Sequence, residues 1–296
     1  MGIPESQLTT WSSQGAVTGS KNTYATIKNS LEASNALYAS QSYSIFLQGS
    51  YGNDTNIYID SDVDTVIKLD SIFRSDLSQL PSEQQTAYHQ TLANATYTYV
   101  EFKQGVHTRL TNAFGANDVT LGDRAFHIQP NSSRRSADVI VCHQYRRYIR
   151  FNGQNDQEYV SGIIIPGTSN GDIINYPKLH SENLIAKHQS TNSWLKPTIR
   201  IFKNMRNKLI DDGVISDETA CSYYIEGMLY SVPDDKFGSS YGDTFCNCVN
   251  WLRQTDRSQL VCPNRQYWLL GNSNVQWTAA KCDQFLNAIV GLWSNW

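Results

Sequence analysis

A chain of 296 residues has room for one large domain or two modest ones, and a core of that size needs no disulfide or metal to hold it. Its 24 Lys and Arg against 27 Asp and Glu leave a formal charge of −3, which argues against a protein built to grip a long polyphosphate backbone. A small phosphorylated ligand is not excluded, and 40% hydrophobic residues with 17 Tyr and 7 Trp mark a globular chain rather than a disordered one.

Tyr24, Ile27, Leu31 and Tyr38 recur at i, i+3, i+7 and i+14, which predicts a helix over residues 20–38. Residues 42–48, rich in Tyr, Ile, Phe and Leu, read as a buried strand running into the turn Gly49-Ser50, and residues 62–69 as a second strand. Residues 82–114 read as one long amphipathic helix with Leu92, Ala95, Tyr99, Phe102, Val106, Leu110 and Ala113 on one stripe and Gly115 as its stop. Residues 118–129 alternate around Gly122-Asp123, which predicts a hairpin, and residues 137–141 and 159–165 are compact strands. Pro166-Gly167 and the cluster Ser169-Asn170-Gly171-Asp172 mark a loop. Helices are then predicted over residues 178–191, 195–211, 216–230, 243–255 and 278–293. Strands first and helices second make an α+β chain, divided near residue 170 into residues 1–170 and 171–296.

Other features are mostly bland. Residues 1–10 lack a basic or apolar targeting segment, and no apolar run reaches the roughly 18 residues of a membrane span, so a cytoplasmic protein with no membrane partner is expected. Six cysteines form no CxxC pair, which favours free thiols, and Cys246-Asn247-Cys248 reads as helical thiols with one facing the core. Six histidines include no HxH or HExxH arrangement, against a zinc hydrolase, and Arg134, Arg135, Arg146, Arg147 and Arg150 read as a solvated surface.

The chemistry gathers around residues 49–64. In a strand, residues two apart share a face, so Asp62 and Asp64 project side by side. Two carboxylates that close repel unless a cation neutralises them, and a hard divalent ion such as magnesium is the natural partner. Gly49-Ser50 at a strand end offers backbone N–H groups and a hydroxyl with no bulky side chain, as the approach of a triphosphate tail requires. Along residues 195–211, Lys196, Arg200 and Lys203 recur at i, i+4 and i+7 beside the apolar stripe Leu195, Ile199, Phe202 and Leu209, a basic stripe that by itself reads as a solvated helix face.

Gly-Ser, eleven residues, then Asp-x-Asp opening a Val/Ile strand resembles the polymerase-β-like nucleotidyltransferases, with Asp138 in Ala137-Asp138-Val139-Ile140-Val141 as the matching third carboxylate. The resemblance narrows to the bacterial cGAS/DncV-like nucleotidyltransferases, or CD-NTases, nearest the clades designated E and G. It rests on Phe46-Leu47-Gln48-Gly49-Ser50-Tyr51, Asp60-Ser61-Asp62-Val63-Asp64, Ala137-Asp138-Val139-Ile140 and Tyr176-Pro177-Lys178-Leu179-His180-Ser181-Glu182-Asn183. Lys196-Pro197-Thr198-Ile199-Arg200-Ile201-Phe202-Lys203-Asn204 and Glu226-Gly227-Met228-Leu229-Tyr230-Ser231-Val232-Pro233 complete it, over about residues 40–235. One departure is Val141-Cys142-His143, where the family pattern has a proline-containing turn.

That resemblance implies a nucleotidyltransferase core of mixed sheet and flanking helices, a C-terminal helical lobe, and an active site in the cleft between them. It implies two Mg2+ ions, replaceable by Mn2+, on Asp62, Asp64 and Asp138. Triphosphate contacts would come from Gly49, Ser50, Lys196, Arg200 and Lys203, and base contacts from Asn175, Tyr176 and Lys178. The expected activity is condensation of nucleoside triphosphates into a cyclic di- or trinucleotide with release of pyrophosphate, in anti-phage defence of the CBASS type. The product would activate a downstream effector protein, a regulatory partner is possible within that scheme, and no long nucleic acid is expected. Two alternatives stand beside it: transfer of a nucleotide to an RNA, protein or small-molecule acceptor, and a catalytically inactive nucleotide-binding scaffold. The scaffold would be expected to lack a metal carboxylate, whereas all three are present.

Overall fold

The computed structural model describes residues 2–15, 17–58, 62–167, 171–273 and 275–296. In chain order the elements are α1 (Glu5–Ser12), α2 (Val17–Leu31), β1 (Tyr43–Leu47), the single turn α3 (Gly49–Gly52), β2 (Val63–Asp76), α4 (Ser82–His89) and α5 (Tyr99–Phe114). They continue as β3 (Val119–Leu121), β4 (Ala125–Ile128), β5 (Ala137–Gly153), β6 (Asp156–Ile165), β7 (Ile173–Asn175), α6 (Pro177–Ser190) and α7 (Leu195–Asp211). The chain ends with α8 (Ser222–Ser231), α9 (Tyr241–Gln254) and α10 (Ala279–Ser294). The α+β reading stands, and no helix among the described residues is long and apolar enough to cross a membrane.

Two compact units result. The sheet unit comprises Thr18–Gln48 and Ser61–Pro177; the helical unit comprises Met1–Val17, Gly49–Asp60 and Lys178–Trp296. Whereas the sequence divides at one point near residue 170, the units are discontinuous, and α1 with residues 49–60 falls in the helical unit.

In the sheet unit the strands run β1-β2-β5-β4-β3, with β6 also pairing β5 and β7 pairing β6. The β2–β5 pair is parallel and the others are antiparallel. β2 and β5 extend well past the predicted strand ends, and a register shift between Leu69 and Phe73 takes up the irregularity. The single helix predicted over residues 82–114 is two helices. Thr98 accepts from the backbone N–H of Glu101 while the Glu101 side chain accepts from that of Thr98, a capping box that starts α5 afresh. The helix predicted over residues 20–38 ends at Leu31, and β7 follows the predicted loop in a stretch to which the sequence assigns no strand. Ser169 and Asn170 of that loop cluster lie outside the described residues. Gly162 has no substitute here, because a Cβ would come within 2.8 Å of the Asn175 carbonyl oxygen and 2.9 Å of the Tyr176 ring.

The helical unit is built on α7, whose apolar side puts Leu195, Ile199, Phe202, Met205 and Leu209 into a core shared with Met228, Phe245, Leu269, Trp277 and Phe285. Trp277 is fully buried and donates its indole N–H to the Thr219 carbonyl at 2.8 Å, so its one polar atom is satisfied. All six cysteines are free thiols.

Candidate active site

Asp64 and Asp138 each stand one residue inside their strands, and the parallel register sets them opposite one another. Neighbouring strands lie about 4.8 Å apart, so the two carboxylates share one level of the sheet. Val63 and Ala137 are buried, whereas Asp64 and Asp138 are half-exposed on the other face. That face continues into Val66, Ile140 and Cys142, which pack with Ile163 and Ile165. The carboxylates therefore stand at the edge of an apolar floor. Asp62, exposed, immediately precedes β2. His127 lies opposite Asp138 on β4, and its Nδ1–H donates to Asp138 Oδ1 at 3.0 Å, fixing that carboxylate.

Like charges at one level of adjacent strands repel, and an all-oxygen, partly hydrated donor set suits a hard divalent cation. The oxygen chemistry of Asp64 and Asp138 suits such an ion, but among the described residues no group of three or more His, Cys, Asp or Glu side chains is gathered to hold one.

In the helical unit, Gly49 has φ 69°, a conformation that glycine adopts without strain, and it opens the turn α3. Asn53 N–H donates to the Gly49 carbonyl at 3.1 Å and Thr55 N–H to that of Ser50 at 2.9 Å, which closes the turn. All three bases of the α7 stripe reach the residues just beyond it. Lys196 Nζ donates to Asp54 Oδ2 at 3.0 Å and Arg200 to the Asp54 carbonyl at 2.6 Å. Lys203 Nζ donates to Thr55 O and Oγ1, each at 3.1 Å, and to Glu226 Oε1 at 3.0 Å. The Lys203 side chain is 0% exposed, and those three acceptors match its three donors.

Glu226, on α8, completes this buried hub. Its Oε1 also accepts from Thr55 Oγ1 at 2.5 Å, while Oε2 accepts from His180 Nε2 at 2.8 Å and Asn53 Nδ2 at 3.3 Å. Burial alone would push the Glu226 carboxyl up. The charge of Lys203, with the hydrogen bonds of His180 and Thr55, overrides that and holds it well below the ordinary carboxylate range. Burial, followed by the nearby charges of Lys196 and Arg200, lowers the pKa of His188.

The remaining predicted base contacts differ in setting. Asn175, on β7, turns its Oδ1 to its neighbour's backbone, accepting from Tyr176 N–H at 2.8 Å. Tyr176 is 1% exposed, packed with Tyr145, so its ring is core. Lys178 is 86% exposed, 3.8 Å from Glu182. Ile59, Asp60 and Ser61, within the motif, lie outside the described residues. Arg134, read as solvated, is instead buried against Asp118 and the Gln129 carbonyl. Sequence reasoning gave no role to Glu226, Thr55, Asn53 or His127. For Glu226 the available signal was a carboxylate in the otherwise apolar run Ile225 to Leu229, since a buried acid demands partners.

Residues 182–294 match the family described as cGAS/DncV-like nucleotidyltransferase C-terminal helical domain. The chain is 41% identical over 298 residues to a cyclic UMP-AMP synthase of Rhodothermus marinus, covering 100% of this chain and 99% of that one. It is 38% identical to the cyclic nucleotide synthase CdnE01 of Staphylococcus haemolyticus, covering 100% of each. The solved structure of the Rhodothermus marinus CdnE c-UMP-AMP synthase with Apcpp and Upnpp superposes with a TM-score of 0.89 at 40% identity, over 99% of this chain and 97% of that one. The CdnE cyclic dinucleotide synthase of Elizabethkingia meningoseptica, solved with GTP and Apcpp, gives 0.77 at 27% identity, over 99% and 98%.

Proposed function

The chain belongs to the cGAS/DncV-like nucleotidyltransferases and is a cyclic nucleotide synthase, and from that premise we propose that its product is a cyclic dinucleotide made in anti-phage defence. The observation that carries the chemistry is the in-register pair Asp64 and Asp138, with Asp62 two residues ahead. Similarity over the whole chain to a cyclic UMP-AMP synthase makes cyclic UMP-AMP the first product to seek.

Asp62, Asp64 and Asp138 are the proposed ligands of two Mg2+ ions, for which Mn2+ can substitute. Divalent cations bound there would lower the pKa of the attacking ribose hydroxyl and neutralise charge on the triphosphate and departing pyrophosphate. The chain's own part is position. His127 holds Asp138 through its Nδ1–H, and the Gly49–Ser50 turn offers backbone N–H groups and a hydroxyl to the triphosphate. Lys196 is the proposed phosphate contact: its side chain is buried, but its partner Asp54 is an exposed carboxylate that a triphosphate can replace. Arg200 and Lys203 support the phosphate region through the backbone of Asp54 and Thr55. Asn175 and Lys178 are the proposed base contacts, with the buried Tyr176 supporting Asn175 through its backbone N–H. The substrates are nucleoside triphosphates, the product acts on a separate effector protein in the cytoplasm, and a regulatory partner belongs to the same scheme.

The test is to incubate the purified chain with the four labelled ribonucleotides and Mg2+ or Mn2+ and then treat with phosphatase. A phosphatase-resistant product that disappears in Asp62→Ala/Asp64→Ala supports cyclisation. Linear or acceptor-linked product alone overturns it, and no turnover with any metal favours an inactive scaffold.

A further inference from the structure

We propose that Thr55, clamped by Glu226 and Lys203, is a positioning residue that sets the Gly49–Ser50 turn for the triphosphate; this rests on the reading of that turn as the triphosphate contact.

Thr55 is fully buried and uses every polar atom it has. Its N–H closes the turn on the Ser50 carbonyl at 2.9 Å, its own carbonyl accepts from Lys203 at 3.1 Å, and its hydroxyl accepts from Lys203 while donating to Glu226 at 2.5 Å. The backbone that shapes the turn is thus bonded directly to a buried ion pair. Glu226 and Lys203 come from two different helices, α8 and α7, and His180 from a third, α6, bonds Glu226 Oε2. Asn53 is a second tether: its N–H donates to the Gly49 carbonyl at 3.1 Å, and its side chain donates to Glu226 at 3.3 Å.

A buried ion pair is weak evidence of stabilisation, because desolvation offsets its attraction, but it fixes geometry well when every donor and acceptor is satisfied. Lys203 meets that condition with three donors and three acceptors. A mobile loop would have to be ordered each time a triphosphate bound, whereas the clamped turn is ordered beforehand, and that difference enters substrate affinity. The turn holds the triphosphate in the ground state and the transition state alike, so loosening it should raise KM with little change in kcat.

Thr55→Val keeps the side-chain shape and the backbone bonds to Ser50 and Lys203, and removes only the hydroxyl. The hydroxyl makes two hydrogen bonds to charged groups, accepting from Lys203 and donating to Glu226, and losing them corresponds to at least about a tenfold change. The expected result is a KM for nucleoside triphosphate raised at least about tenfold with kcat within about threefold of wild type, and recovery in Thr55→Ser. Should the valine variant fail to purify, Asn53→Ala should show the same KM-only change at smaller amplitude. Unchanged KM in either folded variant, while Ser50→Ala raises it, overturns the clamp and leaves the turn as the triphosphate contact. Unchanged kinetics in Ser50→Ala as well overturns the reading of the turn itself, and the clamp with it.

Discussion

Glu226 shows how much one buried carboxylate can organise. Four donors converge on its two oxygens, from Thr55, Lys203, His180 and Asn53. Removing the charge in Glu226→Gln strands the Lys203 ammonium, and breaking a buried pair from one side costs about 3–5 kcal/mol. The loss should depend on pH with a definite sign. The folded-state pKa of Glu226 is depressed, because Lys203 and the hydrogen bonds outweigh burial, while in the unfolded chain it titrates near about 4.3. Its contribution is complete above the unfolded value and is lost as pH falls toward and through the folded one. Urea unfolding at pH 7, 5 and 3 should show wild type well above Glu226→Gln at the first two and the gap shrinking at the third. A gap that stays constant to pH 3 would mean that the carboxylate is not held ionised. In the sequence Glu226 stands out only as an acid in an apolar run, and nothing local names its partners. Lys203 reads as one member of a basic stripe, and the acid that takes its proton donors away sits 23 residues on, with Thr55 148 residues back.

Among the elements, what was legible followed from local periodicity. Strand alternation, a short-range rule, gives Asp64 its face; Asp62 stands just before β2, beyond that rule's reach, and Asp138 enters through the family resemblance, while the parallel register of β2 and β5 sets Asp64 against Asp138. The hairpin of β3 and β4 around Gly122-Asp123 followed from turn chemistry in the same way. Periodicity failed over residues 82–114. The stripe from Leu92 to Ala113 begins inside the break between α4 and α5, at Leu92 and Ala95, and apolar spacing alone does not register where a helix restarts. The restart is encoded by Thr98 and Glu101, three residues apart, whose side chains satisfy each other's backbone N–H groups. Thr98→Ala should therefore cost about 1 kcal/mol in urea unfolding while Thr98→Asn, also a good cap, costs much less. Equal losses in the two would show that the cap does not define the start of α5.

For the whole molecule, the charge of −3 understates how fully the basic residues are committed. Lys196, Arg200 and Lys203 are spent on Asp54, Thr55 and Glu226. Arg134 is buried against Asp118, Arg257 pairs with Asp283, Lys187 pairs with Asp234, and Arg146 lies 3.7 Å over the Phe73 ring. Gripping a duplex takes several Lys and Arg free to displace counterions from successive phosphates, so these committed cations contribute little to such a track. A single triphosphate makes a smaller demand, which the proposed contacts at the Gly49–Ser50 turn, with Lys196 exchanging Asp54 for phosphate, would meet. Turnover should accordingly be unaffected, within about twofold, by long duplex DNA or RNA added at about 0.15 M salt, where non-specific contacts are already screened. The check is the rate of cyclic product with and without the nucleic acid, together with a direct binding measurement at the same salt. Tight, salt-sensitive binding or strong activation would show that the surface carries a usable basic track after all, and would reassign the charge balance from a mononucleotide enzyme to one that senses a polymer.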